Sequence, residues 1–459
     1  MSEINPISRP LGWLGIVRMG LVQMSLGAII VLTTSTLNRV MVVELGLLAS
    51  LPGVLVGLHY AIQVLRPRWG YGSDVGGRRT PWIIGGMFVL GAAAVLAAVA
   101  TMLLETSYVF GMTLSVIAFL LIGCGVGASG TSLLVLLAVR VDQRRRPAAA
   151  TIVWLMMIAG MAVTATVAGG FLDPFSWERL IAVTSVVSAG AFVLTTAAIW
   201  GIEGKADVEA EVALENKMQT ETAAGFVAAF LDVWREPRSR QFALFVFVSM
   251  LAYSAQDLIL EPFGGEIFGM TPGETTQLSG TQHGGVFLGM ILVAVLGTGF
   301  GRGRFGSMRA WAVGGCLASA MMLVSLALAT TIGPNFPLQA AVFLLGVANG
   351  AFAVAAIGSM MGMVRQGKEK REGTRMGLWG AAQAMAFGIG GLAGTVALDT
   401  VRHFSGSAST AFTSVFALEA ILFLVSAYLA VGISNAGRTE ALGLDENVGS
   451  NVGNNVPAH

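Results

Sequence analysis

From Trp82 to Leu103 the chain reads Trp-Ile-Ile-Gly-Gly-Met-Phe-Val-Leu-Gly-Ala-Ala-Ala-Val-Leu-Ala-Ala-Val-Ala-Thr-Met-Leu, without a charged residue, directly after Arg78-Arg79 and Thr80-Pro81. An α-helix needs about 20 apolar residues to cross the hydrocarbon core of a bilayer. Lipid offers no hydrogen-bond partners, so such a run must satisfy its own backbone as a helix. Working outward, comparable runs fill nearly the whole chain. The reading places twelve spans at 15–37, 47–65, 82–103, 110–138, 148–171, 178–200, 241–260, 282–300, 310–331, 338–363, 377–398 and 411–433. Composition agrees: the 459 residues are 55% hydrophobic and 12% charged, with mean hydropathy +0.75, outside the range of a soluble domain. The two cysteines, Cys124 and Cys316, both fall inside apolar runs and read as small buried hydrophobes rather than a disulfide or zinc set. No short apolar run with a small-residue cleavage site marks a signal peptide.

The net charge of +1 conceals an asymmetry. With twelve spans, 24 of the 27 Lys and Arg fall on one side, and only Arg39, Arg179 and Arg402 on the other. The positive-inside rule makes the rich side cytoplasmic and puts both termini there. The expected organisation is an all-α membrane protein of two six-helix bundles. These are an N-terminal bundle (1–201), a cytoplasmic linker (202–240) with an amphipathic helix around Phe226–Trp234, a C-terminal bundle (241–433) and a disordered cytoplasmic tail (434–459).

The halves echo each other. Gly123-x-x-x-Gly127 in span four precedes a basic loop starting at Arg140, and Gly346-x-x-x-Gly350 in span ten precedes one starting at Arg365. The loop Gly70-Tyr-Gly-Ser-Asp74-Val-Gly-Gly77-Arg78-Arg79 after span two has a cruder counterpart, Gly301 to Arg309, after span eight. Internal repeats of this kind mark secondary-transporter architecture. In Gly70, Asp74, Gly77, Arg78 and Arg79 the first loop resembles the signature of the major facilitator superfamily, with Val75 where that family usually has Arg. The resemblance implies its twelve-helix fold.

A narrower resemblance rests on three stretches. They are Thr36-Leu-Asn-Arg-Val-Met-Val-Val-Glu-Leu45, Tyr253-Ser-Ala-Gln-Asp-Leu-Ile-Leu-Glu-Pro-Phe-Gly264 and Thr271-Pro-Gly-Glu-Thr-Thr-Gln-Leu-Ser-Gly-Thr-Gln-His-Gly-Gly285. These are similar to the PucC family, the bacteriochlorophyll-delivery branch of the superfamily. The resemblance implies an assembly factor for light-harvesting antenna complexes, multi-pass in the bacterial inner (intracytoplasmic) membrane, with bacteriochlorophyll as cargo. The partners it implies are antenna polypeptides, membrane lipid, and pigment-synthesis enzymes or a second copy of the chain; nucleic acid is not among them.

Bacteriochlorophyll presents a flat apolar macrocycle and a central Mg²⁺ that accepts an axial ligand, for which neutral imidazole is suited. His283, expected at the membrane edge where span eight starts, is the first candidate, because Gly284 and Gly285 beside it would let a macrocycle approach the backbone. His59 inside span two is the second. For either histidine the alternative is a side chain satisfied by a neighbouring helix. Asp257 and Glu261 share a helix face near the expected outer end of span seven. With Arg39 and Glu44 at the end of span one they form a candidate gate, or else an outer ion pair worth about 0–1 kcal/mol when exposed. Glu419, in the middle of span twelve, is a functional candidate because an unpaired intramembrane charge costs at least ~2.5–3.5 kcal/mol. The family fold puts that helix at the periphery, which suggests a lateral contact with pigment or partner helix.

Gly125-Val-Gly-Ala-Ser-Gly130 matches a dinucleotide fingerprint only as text, since it lies inside an apolar span. Glu369 breaks the near phosphate loop at Gly362–Lys368, and no nucleophile elbow or zinc motif is present, which argues against an enzyme. Three functions remain: a pigment-delivering assembly factor, an antenna-helix chaperone without pigment, and an ion-coupled transporter of a small solute. The last expects charges at mid-membrane, of which the sequence shows almost none besides Glu419.

Overall fold

The computed structural model describes residues 11–63, 78–142, 144–203, 234–235, 237–298, 307–366 and 372–441. Twelve helices carry them. The first six are α1 (Trp13–Glu44), α2 (Ser50–Ile62), α3 (Thr80–Thr106), α4 (Tyr108–Arg140), α5 (Arg146–Leu172) and α6 (Trp177–Ile199). The second six are α7 (Pro237–Phe268), α8 (Pro272–Thr298), α9 (Met308–Ile332), α10 (Leu338–Gln366), α11 (Glu372–Ser405) and α12 (Ala408–Ala441). Eleven are long and apolar enough to cross a membrane; α2 is described over a shorter stretch. The chain is a multi-pass membrane protein.

Local chemistry sets the helix ends. Proline occupies the first turn of α3 and of α5, where its missing N–H costs nothing. The Ser176 hydroxyl accepts from the Arg179 N–H at 3.2 Å to cap α6. Glu203 takes the Arg79 and Thr80 N–H groups at 2.8 and 2.9 Å, so a carboxylate just past α6 caps α3. Gly269 and Gly406 end α7 and α11 with φ near +66°, a conformation few other residues tolerate. Of the signature loop, Gly70, Asp74 and Gly77 lie outside the described residues, as does most of the linker. Arg78 is exposed, while Arg79 is buried at the start of α3. Helix α12 continues to Ala441, past the expected boundary at 433, and residues 442–459 are outside the described set.

Each half has its own apolar core. Small residues let backbones touch. Gly125 of α4 lies on Gly86 and Leu90 of α3, which makes the false dinucleotide fingerprint a packing surface. In the second half Gly285 and Gly289 of α8 interlock with Gly346 and Gly350 of α10: a Cβ on any of the four would overlap the partner helix's backbone. The halves meet where α5 packs on α8 and α2 on α11.

Those two seams define the repeat in detail. Asp173 at the end of α5 caps α8 at Gly273, and Asp399 in α11 caps α2 at Ala49. Gly169 packs against Gln277, and Gly53 against Thr395. Positions 169 and 173 map onto 395 and 399 with one offset of 226, while 49 and 53 map onto 273 and 277 with one offset of 224. The same offset of 224 carries His59 onto His283 and Tyr60 onto Gly284.

Three boundaries differ from expectation in one region. Helix α1 runs to Glu44 rather than 37, α7 to Phe268 rather than 260, and α8 starts at Pro272 rather than 282. Hydropathy ends these spans early because their last or first turns are polar. The structure buries those turns against protein, with Thr275, Thr276, Ser279, Gln282 and Glu261 all inaccessible. Asp257 and Glu261 are therefore inside the span rather than at its outer end, and His283 is eleven residues into α8 rather than at its edge.

Candidate functional site

The polar residues of this region converge between the halves. Tyr253, Asp257 and Glu261 follow at four-residue spacing and share one face of α7. Tyr253 lies within electrostatic reach of Asp257 and of Tyr60 on α2. Glu261 lies beside Arg39 of α1 and the Thr275 and Ser279 side chains of α8. The line of rings from Tyr60 to Phe387 (5.7 Å) to Tyr253 (5.9 Å) joins the two halves with aromatic surface. Tyr60, Phe387, Tyr253 and Asp257 are each only partly buried.

Helix α1 delivers its polar residues through two π-helical turns, Leu32–Thr36 and Val40–Glu44. Such turns are rare and recur at functional sites. They bring a buried run, Thr33 to Arg39, against the second half. Thr36 and Thr276 share a hydroxyl hydrogen bond at 3.1 Å, and the Asn38 amide donates to the Leu258 carbonyl at 2.6 Å. Arg39 is 2% exposed. It pairs with Glu44 on its own helix and donates to the Met270 carbonyl of the other half at 2.8 Å. Gly265 makes room for the guanidinium, since a Cβ there would stand 3.2 Å from Nη2. Of the expected gate residues, Arg39, Glu44 and Glu261 lie together, while Asp257 lies by Tyr253 and Glu419; the carboxylate that holds Arg39 is Glu44, not Asp257 or Glu261. Both Glu261 carboxyl oxygens, Asn38 Oδ1 and Arg39 Nε are buried without a hydrogen bond.

His283 and His59 are both 2% exposed, and their settings differ. His283 Nδ1 is 2.8 Å from the Ser279 carbonyl of its own helix. A carbonyl only accepts, so Nδ1 carries the proton and Nε2 the lone pair. His59 Nε2 instead faces the Gln63 amide at 2.9 Å, and its ring stacks edge-on against Tyr60. Of the glycines beside His283, Gly285 is taken up by α10. It does not present backbone to a ligand, as the sequence suggested; Gly284 has open space around its Cα.

Glu419 is a second correction. It does not face lipid: it is 2% exposed, turned into the second half, close enough to Asp257 to interact, and both its oxygens lack a hydrogen bond. The sequence reading also missed a buried polar chain in that half. Ser319 of α9 donates to Asn349 of α10 at 2.8 Å, and Asn349 donates to Gln256 of α7 at 2.8 Å. Single neutral residues in three distant spans carry no joint signal in sequence. Among the described residues no group of three or more His, Cys, Asp and Glu is placed to hold a metal ion.

Two six-helix halves that pack through α5–α8 and α2–α11 define an all-α membrane protein of the major-facilitator type. The solved structure titled "Structural insights into substrate recognition in proton dependent oligopeptide transporters" superposes with TM-score 0.66 at 15% identity, covering 92% of this chain and 99% of that one. A peptide transporter solved with sulfate gives 0.63 at 14% identity, over 93% and 96%. These likenesses concern the fold. Residues 36–438 match the family described as PUCC protein, and the chain belongs to that family. It is 52% identical over 92% of its length, and 96% of the relative's, to a Rhodobacter capsulatus protein named "Bacteriochlorophyll synthase 44.5 kDa chain". It is 31% identical to the Protein PucC of Cereibacter sphaeroides, over 89% of this chain and 90% of that one.

Proposed function

We propose that the chain is a non-enzymatic membrane carrier that holds bacteriochlorophyll between its halves and passes it to antenna polypeptides in the photosynthetic membrane. The observation that carries this is His283. In a family whose 52%-identical member is named for bacteriochlorophyll, it is an imidazole at the central site with Nδ1 committed and Nε2 left as the lone-pair nitrogen. A backbone carbonyl that takes the Nδ1 proton's hydrogen bond in this way fixes the tautomer and orients the ring as a metal ligand. Here the metal would be the cargo's own Mg²⁺. The rings of Tyr60, Phe387 and Tyr253 supply flat apolar surface nearby, and loosening the α5–α8 seam at Gly284 would admit the macrocycle edge. The basic face is cytoplasmic in this reading, and both termini lie there.

A second reading, an ion-coupled transporter of a small solute, is favoured by one observation. The spans are longer than hydropathy implied, so Asp257 and Glu261 join Glu419 as carboxyls within them.

The test is an absorption spectrum of protein purified in mild detergent from pigment-making cells, beside His283→Ala and His59→Ala. Near-stoichiometric bacteriochlorophyll, lost in His283→Ala and kept in His59→Ala, is the expected result. Pigment-free protein that still co-purifies with antenna polypeptides would replace the carrier with a helix chaperone.

A further inference from the structure

We propose that a symmetry-related pair of carboxylates, Asp173 and Asp399, latches the two halves together on the face that carries Arg39, Arg179 and Arg402, and that the halves separate on that face only when both latches release together. Each carboxylate belongs to one half and caps a helix of the other. Asp173 Oδ1 accepts the Gly273 N–H at 3.2 Å and Oδ2 the Thr271 hydroxyl at 2.6 Å. Asp399 Oδ1 accepts the Ala49 N–H at 3.1 Å and Oδ2 the Ser50 N–H at 2.7 Å. In both cases an anion meets the exposed N–H groups and positive end of a helix, where it is stabilised.

The caps recur because their positions correspond in the repeat, with one N–H and a hydroxyl held by Asp173 and two N–H groups held by Asp399. Under each cap the helices are in close contact. A Cβ on Gly273 would strike the Asp173 carboxylate and the Gly169 carbonyl, and one on Gly53 would strike Thr395. Separating the halves on this face draws α8 from α5 and α2 from α11. A rigid-body motion of that kind breaks both caps in one step. Arg39 of the first half is likewise tied to the Met270 carbonyl of the second at this end of the bundle. The cargo-gating meaning of the latch rests on the proposed function; its existence does not, and its test needs no pigment.

The protein with Cys124→Ala and Cys316→Ala carries Ser279→Cys as a reporter in the site, in sealed vesicles of each orientation, and is exposed to a membrane-impermeant maleimide. Removing one helix cap typically shifts an equilibrium by about fivefold. Asp173→Ala or Asp399→Ala is therefore expected to speed labelling from the latched face about fivefold, and the double variant ~25-fold. Unchanged labelling in a folded double variant overturns the proposal. Hydrogen exchange on the single variant covers the case in which the double variant does not fold. Asp173→Ala is expected to accelerate exchange at Ala49 and Ser50, on the other seam, as well as at Gly273. Acceleration confined to Gly273 overturns the coupling whatever the pigment content.

Discussion

Helices α2 and α8 occupy the same position in the two halves, and at the same register one reads His59-Tyr60 and the other His283-Gly284. In the first half the tyrosine ring fills the seam against Phe387, and Gln63 engages the imidazole. In the second half glycine leaves that seam open, Phe287 stands where Gln63 would be, and the imidazole bonds the Ser279 carbonyl of its own helix. Two copies of one frame have thus been put to different uses: one is plugged, the other left available. Both halves pack small residues on backbone, at Gly125 and Gly86 in the first and at Gly285 and Gly346 in the second, but the second also carries the Ser319–Asn349–Gln256 chain and the buried Glu419.

The largest expected effect is steric. Gly285→Leu would force α8 from α10 and is expected to cost about 3 kcal/mol or more of stability. Gly284→Leu, one residue away on the open side, should cost far less. Thermal unfolding monitored by size-exclusion recovery compares the two, and equal losses would mean that the seam at Gly284 is not open. Next comes the buried chain. Asn349→Leu leaves Ser319 and Gln256 without partners and is expected to destabilise by about 2 kcal/mol, read from the same melts. A smaller effect, about tenfold in pigment retention, is expected from making one half resemble the other. Gly284→Tyr should expel bacteriochlorophyll, whereas Tyr60→Gly with Gln63→Leu should raise the pigment-to-protein ratio above that of wild type. Smallest is Thr330→Val, which removes the 2.7 Å Thr330–Thr413 hydroxyl bond; intramembrane hydrogen bonds average about 0.6 kcal/mol.

Much of the fold was legible because lipid imposes a length and a polarity on each span, and runs such as Trp82–Leu103 obey both. The reading failed where a helix is surrounded by protein. From Glu261 to Gln282 the chain is too polar to be read as a span, yet Thr275, Thr276 and Ser279 are buried against other helices, so hydropathy measured the wrong environment there. That error put His283 and Asp257 at the membrane surface. It also hid that Glu261, grouped with Arg39 in the sequence, meets Thr275 and Ser279 of α8, the latter one turn from His283. The Glu44 partner of Arg39 was legible as a nearby acid, but which carboxylate would hold the guanidinium depended on two π-helical turns that no residue type announces. The exchange of caps between Asp173 and Asp399 was hidden for a different reason. The 226-residue correspondence is carried by two aspartates and a handful of small residues, too little to see before the contacts are known.

Those π-helical turns bear on how the chain tolerates change over generations. A π-turn holds one residue more than the α-helical turn it interrupts, so loss of a single codon between Leu32 and Thr36 would leave an ordinary, continuous helix. Because the wide turn had absorbed the extra residue, every residue beyond the deletion would keep nearly the same direction relative to those before it. Arg39 would still face Met270 and Gly265, and Asn38 would still face Leu258. Elsewhere along α1, where the turns are α-helical, loss of one residue would rotate everything beyond it by about 100° and carry those side chains away from the other half. This short window is therefore where α1 can lose a residue and keep the contact between the halves.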